Sequence, residues 1–324
     1  MTAQFSHTDD NFRELIVVVG PTGSGKSSLS MALSAHYGCP IISTDSRQFY
    51  RGIPIGTAQP TAEDLATAEH HFIASRELTD EYNSGEYEKD ALALLEELFK
   101  CHKRVIAVGG SGLYIKALCE GLDSLPEVST ELREGLRREL LEGGLEPLLE
   151  ELKQRDEAYY NVVDRANGAR VVRALEVCRA TGGRYSDLRL VEQGERKARP
   201  FKIVKVGLDL PREQLYRRID SRVDEMMTEG LEAEARAVYH LRQLNSLQTV
   251  GYRELFDHFD GVTSLAEAVE LIKRNSRRYA KRQMTWFRRD TSIKWFTAFA
   301  PDEVIEFVAA GLGSVAAGLG SVSL

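Results

Sequence analysis

A glycine-rich segment close to the N-terminal end, Gly20–Ser27, contains the residue types that hold phosphate groups. It reads Gly-Pro-Thr-Gly-Ser-Gly-Lys-Ser and satisfies the whole P-loop pattern. Glycines let successive backbone N–H groups point at phosphate oxygens. Lys26 supplies a positive charge, and the hydroxyl of Ser27 can ligate Mg²⁺. The segment predicts a phosphate-binding loop but no particular reaction, because kinases, nucleotide hydrolases and other transferases all use such loops.

Asp45 is a second candidate for chemistry, since it ends the predicted strand Pro40–Asp45. A carboxylate there could accept a proton from an acceptor substrate close to the phosphates. Asp is also a good helix N-cap, so the residue could instead cap the next element. Its position by itself leaves both interpretations open.

Short apolar runs that alternate with helical segments predict the elements that must position these groups. The predicted strands are Leu15–Val19, Pro40–Asp45, Val105–Val108 and Phe201–Leu210, and the predicted helices include Ser27–Tyr37 and Asp90–Lys100. Alternation of this kind is typical of an α/β fold with a parallel sheet flanked by helices. Ligands of such sheets bind at the carboxyl ends of the strands, where the P-loop, Asp45 and Ser111 all fall.

Composition excludes several classes of protein. The 324 residues include no apolar run of about 18, so no membrane-spanning helix is expected. The polar stretch Met1–Arg13 resembles neither a signal peptide nor a transit peptide. The four cysteines show no metal-binding spacing and indicate a reduced, cytoplasmic protein.

The strand signals stop between Ser124 and Pro200, where the chain is charged and helical with glycine breaks. We therefore predict a P-loop core domain of residues 12–123 and 200–300, interrupted by an all-helical insertion domain of residues 124–199. Residues 301–324 are predicted to be a small-residue C-terminal tail. The segment Ala309–Val315 recurs there as Ala316–Val322, and no function is assigned to it.

A strongly basic segment lies near the C-terminal end of a chain whose net charge is −7. Eight basic residues and no acidic one occur in it: Lys273, Arg274, Arg277, Arg278, Lys281, Arg282, Arg288 and Arg289. Such runs are usually solvated helix faces, but an unneutralised cluster is less expected in an acidic protein. Tyr279, Trp286 and Phe287 interleave with it, which suits stacking on unpaired bases. A second basic group in the insertion comprises Arg165, Arg170, Arg173, Arg179 and Arg184. The two groups favour RNA binding.

Eight short motifs in this order closely resemble the tRNA dimethylallyltransferases, also called tRNA isopentenyltransferases. The motifs are Gly20–Ser27, Asp45–Tyr50, Ile55–Ala58, Gly109–Tyr114, Arg173–Glu176, Gly230–Glu234, Val250–Arg253 and Lys281–Trp286. The resemblance covers about residues 15 to 290. Ser111 stands where the family usually has Thr, and Arg47 and Phe49 vary within their motif. The chain lacks the zinc finger of eukaryotic members and resembles the bacterial form.

The resemblance implies a P-loop NTPase-like fold and transfer of a dimethylallyl group from dimethylallyl diphosphate to N6 of the adenosine 3′ of the tRNA anticodon. Asp45 would take the proton of the amine. Thr22, Lys26, Arg222 and Mg²⁺ on Ser27 would stabilise the departing diphosphate. The residues that would hold the diphosphate are Gly20, Pro21, Thr22, Gly23, Ser24, Gly25, Lys26 and Ser27. The alternative for Arg222 is a surface arginine of a helix, and the functional role is favoured.

The resemblance and the basic segment together imply a set of tRNA contacts, and a monomer is expected. These contacts are Asp45, Ser46, Arg47, Gln48, Ser111, Arg133, Ala169, Arg170, Val171, Val172, Arg173, Gln248, Thr249, Val250, Gly251, Tyr252, Arg253, Lys281, Arg282 and Arg288.

Three other functions fit parts of the pattern. A P-loop kinase of a small metabolite could use Asp45 to activate a hydroxyl. An adenylate isopentenyltransferase would prenylate a free nucleotide. Neither substrate needs a basic helix or a helical insertion. A non-catalytic RNA-binding module would not need Lys26, Ser27 and Asp45 together.

Overall fold

The computed structural model describes residues 12–123, 125–189, 197–297 and 299–317. Most of Met1–Arg13 and of the second tail repeat lies outside these ranges. The chain divides into two compact units. The first comprises Met1–Cys119 and Arg199–Leu324, and the second comprises Glu120–Ala198, so the insertion starts slightly earlier than the sequence predicts.

The first unit is built on a parallel sheet. Its described strands are β1 (Glu14–Val19), β2 (Ile41–Ser43), β3 (His70–His71), β4 (Arg104–Gly109), β5 (Lys202–Leu208) and β6 (Ile293–Phe296). Their order is β3-β2-β4-β1-β5-β6, and every described strand pair is parallel. The predicted α/β fold is confirmed. The two edge strands, β3 and β6, were not predicted because two and four residues are too short for an apolar pattern.

β1 lies at the centre of the sheet, between β4 and β5. Leu15, Val17 and Val19 pack into the core on one face of the sheet, while Ile16 and Val18 pack on the other. Both faces are covered, which explains why all the side chains of this strand are apolar after its first residue. The P-loop begins directly where this strand ends, so the sheet holds the start of the loop in place.

The helices of the first unit cover both faces of the sheet. They are α1 (Lys26–Tyr37), α2 (Pro54–Thr57), α3 (Ala62–Thr67), α4 (Ser84–Leu98), α5 (Gly112–Glu120), α10 (Arg212–Glu229), α11 (Leu231–Val238), α12 (Tyr252–Phe259), α13 (Leu265–Phe287) and α14 (Pro301–Ala317). α4 begins earlier than predicted because Asn83 and Glu86 form a capping box at its N-terminus.

α14 corrects the predicted domain boundary at residue 301. Its Val304 and Val308 are fully buried and pack in one cluster with Leu29 and Leu33 of α1. The hydroxyl of Tyr37 donates a hydrogen bond to the carbonyl of Ile305, at 3.4 Å. The apolar spacing of Val304, Ile305 and Val308 is that of an amphipathic helix. The first part of the supposed tail therefore belongs to the core of the first unit.

The regular secondary structure of the second unit is entirely helical within its described residues. It contains α6 (Thr130–Gly143), α7 (Glu146–Arg155), α8 (Glu157–Tyr160) and α9 (Gly168–Thr181). Leu136, Leu152, Val171 and Leu175 are fully buried at its centre. The predicted all-helical insertion is confirmed. Nowhere in the described ranges is a helix long and apolar enough to cross a membrane.

Candidate active site

The P-loop wraps around the carboxyl end of β1 and leads directly into α1. Gly25 precedes the first residue of α1 with φ at 94°, a left-handed conformation that favours glycine. No side chain caps this helix, so the N–H groups of its first turn stay available to a ligand. Together with the positive end of the helix dipole, these groups form a site for an anion.

Two cations, Lys26 and Arg222, lie at this site. The pKa of Lys26 is lowered to about 7, mainly by burial, with Asp45 raising it and the charge of Arg222 lowering it. Burial also lowers the pKa of Arg222, again with Asp45 acting in the opposite sense. Within the described ranges neither cation makes an ion pair, and Lys26 donates a hydrogen bond to the carbonyl of Pro21. Two partly desolvated cations without a paired carboxylate would both be stabilised by a bound anion.

Asp45 follows β2 and lies within electrostatic reach of both cations. Its Oδ1 accepts a hydrogen bond from the N–H of Arg47 at 3.0 Å, so one oxygen does cap the turn that follows. In the part of the chain that the structure describes, no hydrogen bond to Oδ2 is found. The carboxylate can therefore keep its turn and still accept a proton through the second oxygen. The cap and the general-base interpretations are compatible.

Ser46 and Ser111 connect the ends of β2 and β4, and Gln48 connects β2 to Ala58. The hydroxyl of Ser111 accepts the N–H of Ser46 at 3.0 Å and donates to its hydroxyl at 3.1 Å. The side-chain amide of Gln48 accepts the hydroxyl of Ser43 at 2.9 Å and donates to the carbonyl of Ala58 at 2.8 Å. These predicted RNA contacts thus also hold the backbone around Asp45.

Arg47 contacts another part of the predicted RNA-binding surface. Its guanidinium donates to the carbonyls of Asn245 and Ser246, at 2.7 and 3.1 Å. The carbonyls belong to the turn that directly precedes the predicted RNA contacts Gln248–Arg253. Arg47 therefore ties the Asp45 turn to this second segment.

Two residues at the site were not among the predicted site residues. Gln283 of α13 accepts the N–H of Thr22 and donates to the carbonyl of Gly110. Glu234 of α11 accepts the N–H groups of Ile55 and Gly56, both at 2.8 Å. Both residues lie inside motifs quoted for the family resemblance. An uncharged amide amid a run of cations was the available sequence signal for Gln283.

The segment Gln248–Arg253 is only partly exposed. Gln248 and Arg253 are exposed, whereas Gly251 and Tyr252 are buried. The hydroxyl of Tyr252 donates to Glu234 at 2.5 Å, which places this ring in the core against α2. Tyr252 was predicted to contact RNA, but its ring has no exposed surface, so its side chain packs in the core instead.

Two insertion residues require the same correction. Val171 and Val172 are 0% and 6% exposed and pack in the core of the second unit, so their side chains offer no surface to RNA. Ala169 and Arg170 are exposed on the same helix. Arg173 and Arg133 lie 2.8 and 4.0 Å from the carboxylate of Glu176. Arg179, from the second basic group, is held by Glu139 and Glu151.

The basic segment of α13 is less charged than its sequence indicates. Lys273 pairs with Asp224 and Arg288 pairs with Asp209, at 2.7 and 2.8 Å, and Arg277 pairs with Asp220. The expectation of an unneutralised cluster is therefore wrong for these three residues, whose partners lie in or before α10. The exposed cations that have no carboxylate partner among the described residues are Arg274, Arg278, Lys281, Arg282 and Arg289. We call these five the cationic ridge.

The aromatic residues of this segment differ in exposure. Trp286 is 36% exposed and could stack on a base, whereas Phe287 is 2% exposed and packs in the core. Tyr279 is half-buried, and burial raises its pKa to about 12, with Asp45 adding to the shift. Of the three predicted stacking residues, Phe287 is therefore excluded by its burial.

Comparison with known proteins agrees with the motifs. The family model described as IPP transferase matches residues 48–290. The tRNA dimethylallyltransferase 2 of Parabacteroides distasonis is 50% identical over 289 residues, which are 89% of this chain and 95% of that protein.

Solved structures give the same result. The tRNA isopentenylpyrophosphate transferase of Bacillus halodurans superposes with a TM-score of 0.69 at 33% identity, over 93% of this chain and 97% of that one. A eukaryotic dimethylallyltransferase acting on tRNA shares the fold, with a TM-score of 0.73 at 24% identity, over 88% of this chain and 74% of that one. The chain therefore belongs to the IPP transferase family, the family of the tRNA dimethylallyltransferases.

Proposed function

We propose that this protein transfers a dimethylallyl group from dimethylallyl diphosphate to N6 of the adenosine 3′-adjacent to the anticodon in tRNA, and releases diphosphate. One observation carries the proposal: Lys26 and Arg222, two partly desolvated cations, share the end of the P-loop with the Asp45 carboxylate. The cations suit a diphosphate, and the carboxylate suits an amine that must lose a proton.

The reaction balances with these groups. The lone pair of the adenine amine is delocalised into the ring, so the amine is a weak nucleophile. Asp45 accepts its proton as the new N–C bond forms, and the allylic C–O bond breaks with its electron pair moving to the diphosphate. Lys26, Arg222 and the N–H groups of the P-loop stabilise the charge that gathers there. No phosphoryl group is transferred.

Mg²⁺ is part of the proposal, because the residues present fit the ion. Ser27 is exposed in the first turn of α1, and hydroxyl oxygens are ligands that Mg²⁺ accepts. The described residues contain no group of three or more His, Cys, Asp or Glu side chains placed to hold a metal. Ser27 would therefore hold the ion together with diphosphate oxygens and water. When bound, Mg²⁺ neutralises part of the charge of the leaving group.

The RNA substrate is supported by exposed cations on each unit. The first unit presents the cationic ridge and Arg253, and the second presents Arg170. An adenosine within a folded stem-loop must leave its stack to reach Asp45, as in other enzymes that act on bases. We further propose that the protein acts as a monomer in the cytoplasm, and light scattering after size exclusion tests the monomer.

The decisive experiment uses purified protein, Mg²⁺ and labelled dimethylallyl diphosphate with unmodified tRNA. We expect label at the adenosine beside the anticodon, and none when that adenosine is replaced by guanosine. Parallel reactions with AMP, ADP and ATP separate the alternatives. Label on AMP or ADP alone would identify a nucleotide prenyltransferase, and consumption of ATP without label on tRNA would identify a kinase or hydrolase.

A further inference from the structure

One face of α13 meets the elements at the carboxyl end of the sheet. Tyr279, Gln283 and Trp286 are spaced i, i+4 and i+7, so they project from the same side of the helix. Tyr279 lies beside Ser111, and Trp286 packs directly on Gly112. Arg278, Lys281 and Arg282 of the cationic ridge are exposed on the same turns. α13 thus carries both exposed cations and groups that touch the candidate active site.

Gln283 makes the most specific of these contacts. Its Oε1 accepts the N–H of Thr22 at 2.9 Å, and its Nε2 donates to the carbonyl of Gly110 at 3.0 Å. The two partners fix the orientation of the amide, because only the oxygen can accept from an N–H group. A Cβ on Gly110 would lie 2.1 Å from Nε2, so only glycine allows this approach. Gln283 is 6% exposed, and its hydrogen bond to Gly110 is buried.

The bridge joins the two halves of the candidate site. Thr22 lies in the P-loop after β1, and its N–H is occupied by Gln283 rather than offered to a phosphate. Gly110 directly precedes Ser111, whose hydroxyl holds Ser46 beside Asp45. One planar amide therefore fixes the P-loop relative to the strand end that positions Asp45.

We propose that Gln283 is a positioning residue that sets the distance between the diphosphate held by the P-loop and the amine held at Asp45. This inference rests on the proposed function, because the reaction that Gln283 would assist is the proposed dimethylallyl transfer. Bond formation needs the reacting atoms about 3–3.5 Å apart, and a misplacement of about 1 Å can cost 10²-fold in rate. Gln283 itself touches no reacting atom.

The kinetic test compares Gln283→Met with the wild type. Methionine has a similar length but neither donates nor accepts these bonds, so the P-loop and Gly110 lose their common partner. We expect the single-turnover rate with prebound anticodon hairpin and saturating Mg²⁺-dimethylallyl diphosphate to fall about 10²-fold. The hairpin Kd should change less than about threefold, because the cationic ridge is intact.

A matched control separates positioning from stability. Ile272→Val alters a buried residue of the same helix that is 2% exposed and far along the helix from Gln283. It should lower the Tm without slowing the single-turnover rate. A Gln283→Met protein whose rate equals that of the wild type would overturn the inference, as would an equal loss of rate in Ile272→Val at a matched fall in Tm.

A readout independent of activity tests the bridge itself. Hydrogen exchange at the Thr22 amide of the free protein should be slow in the wild type and faster in Gln283→Met. Gln283→Glu keeps the acceptor for this N–H but loses the donor to Gly110, so slow exchange should persist while transfer still falls. If the wild type labelled no tRNA, the proposed function would fail. The exchange rates would still show whether Gln283 bridges Thr22 and Gly110. Unchanged Thr22 exchange in Gln283→Met would overturn the bridge.

Discussion

The ammonium of Lys26 donates a hydrogen bond to the carbonyl oxygen of Pro21, 2.7 Å away. Both residues belong to the P-loop, so the lysine side chain folds back onto the loop that carries it. The same lysine has a pKa of about 7 because it is buried and faces Arg222. A bound diphosphate would replace the carbonyl as the partner and raise the pKa of the lysine, because an anion favours its charged form.

Lys26→Met should therefore remove a charge that stabilises the leaving group. We expect kcat to fall about 10²–10³-fold, as when one preorganised donor is removed from an active site. Lys26→Arg should not restore the rate, because a planar guanidinium does not replace a compact ammonium. Steady-state kinetics with tRNA and dimethylallyl diphosphate measure both variants. Lys100→Met, at an exposed lysine paired with Glu97, is the control and should behave as the wild type.

Asp45→Asn isolates the basic function of Asp45. Asparagine can still accept the N–H of Arg47 through its side-chain oxygen, so the turn that Asp45 caps should survive. It cannot take up a proton, and we expect turnover to fall about 10²–10⁴-fold. Filter binding should give a tRNA Kd close to that of the wild type. Full activity in Asp45→Asn would exclude the general-base role and leave Asp45 as a cap.

The cationic ridge predicts which charges act on RNA. Arg278→Gln and Lys281→Gln remove exposed cations that have no carboxylate partner among the described residues. If the removed cation contacts a phosphate, the slope of log K for tRNA binding against log salt should fall by about one. Lys273→Gln removes a cation paired with Asp224, so its slope should match that of the wild type. Titrations of each variant with tRNA over a range of salt concentrations measure the three slopes. Equal slopes in every variant would show that the ridge is a solvated face.

The C-terminal helix gives a prediction about stability. Val304 of α14 is fully buried and packs in one cluster with residues of α1. Val304→Ala should therefore lower the free energy of unfolding by about 2 kcal/mol. Glu306→Ala, at an exposed position of the same helix, should be close to neutral. Chemical denaturation measures the difference. A neutral Val304→Ala would mean that α14 adds little to the core and that the predicted boundary at residue 301 was adequate.

The sequence by itself determined those elements whose structure depends mainly on residues that are close together in the chain. β1 could be predicted because both of its faces are buried, which requires consecutive apolar residues. The P-loop could be predicted because backbone curvature around phosphates requires glycines at fixed spacing. The family could be recognised because eight motifs occur in one order, and the comparisons confirm it.

The tertiary structure decided which of the motif residues face outwards and which connect elements. Tyr252, Val171 and Val172 lie in motifs or segments expected to touch RNA, yet packing from distant elements buries them. The cations of the basic segment were visible in the sequence, but the aspartates that neutralise Lys273, Arg277 and Arg288 come from a different part of the chain. The bridge from Gln283 to Thr22 spans 261 positions in the sequence. Such contacts depend on how elements pack, and no local pattern encodes that.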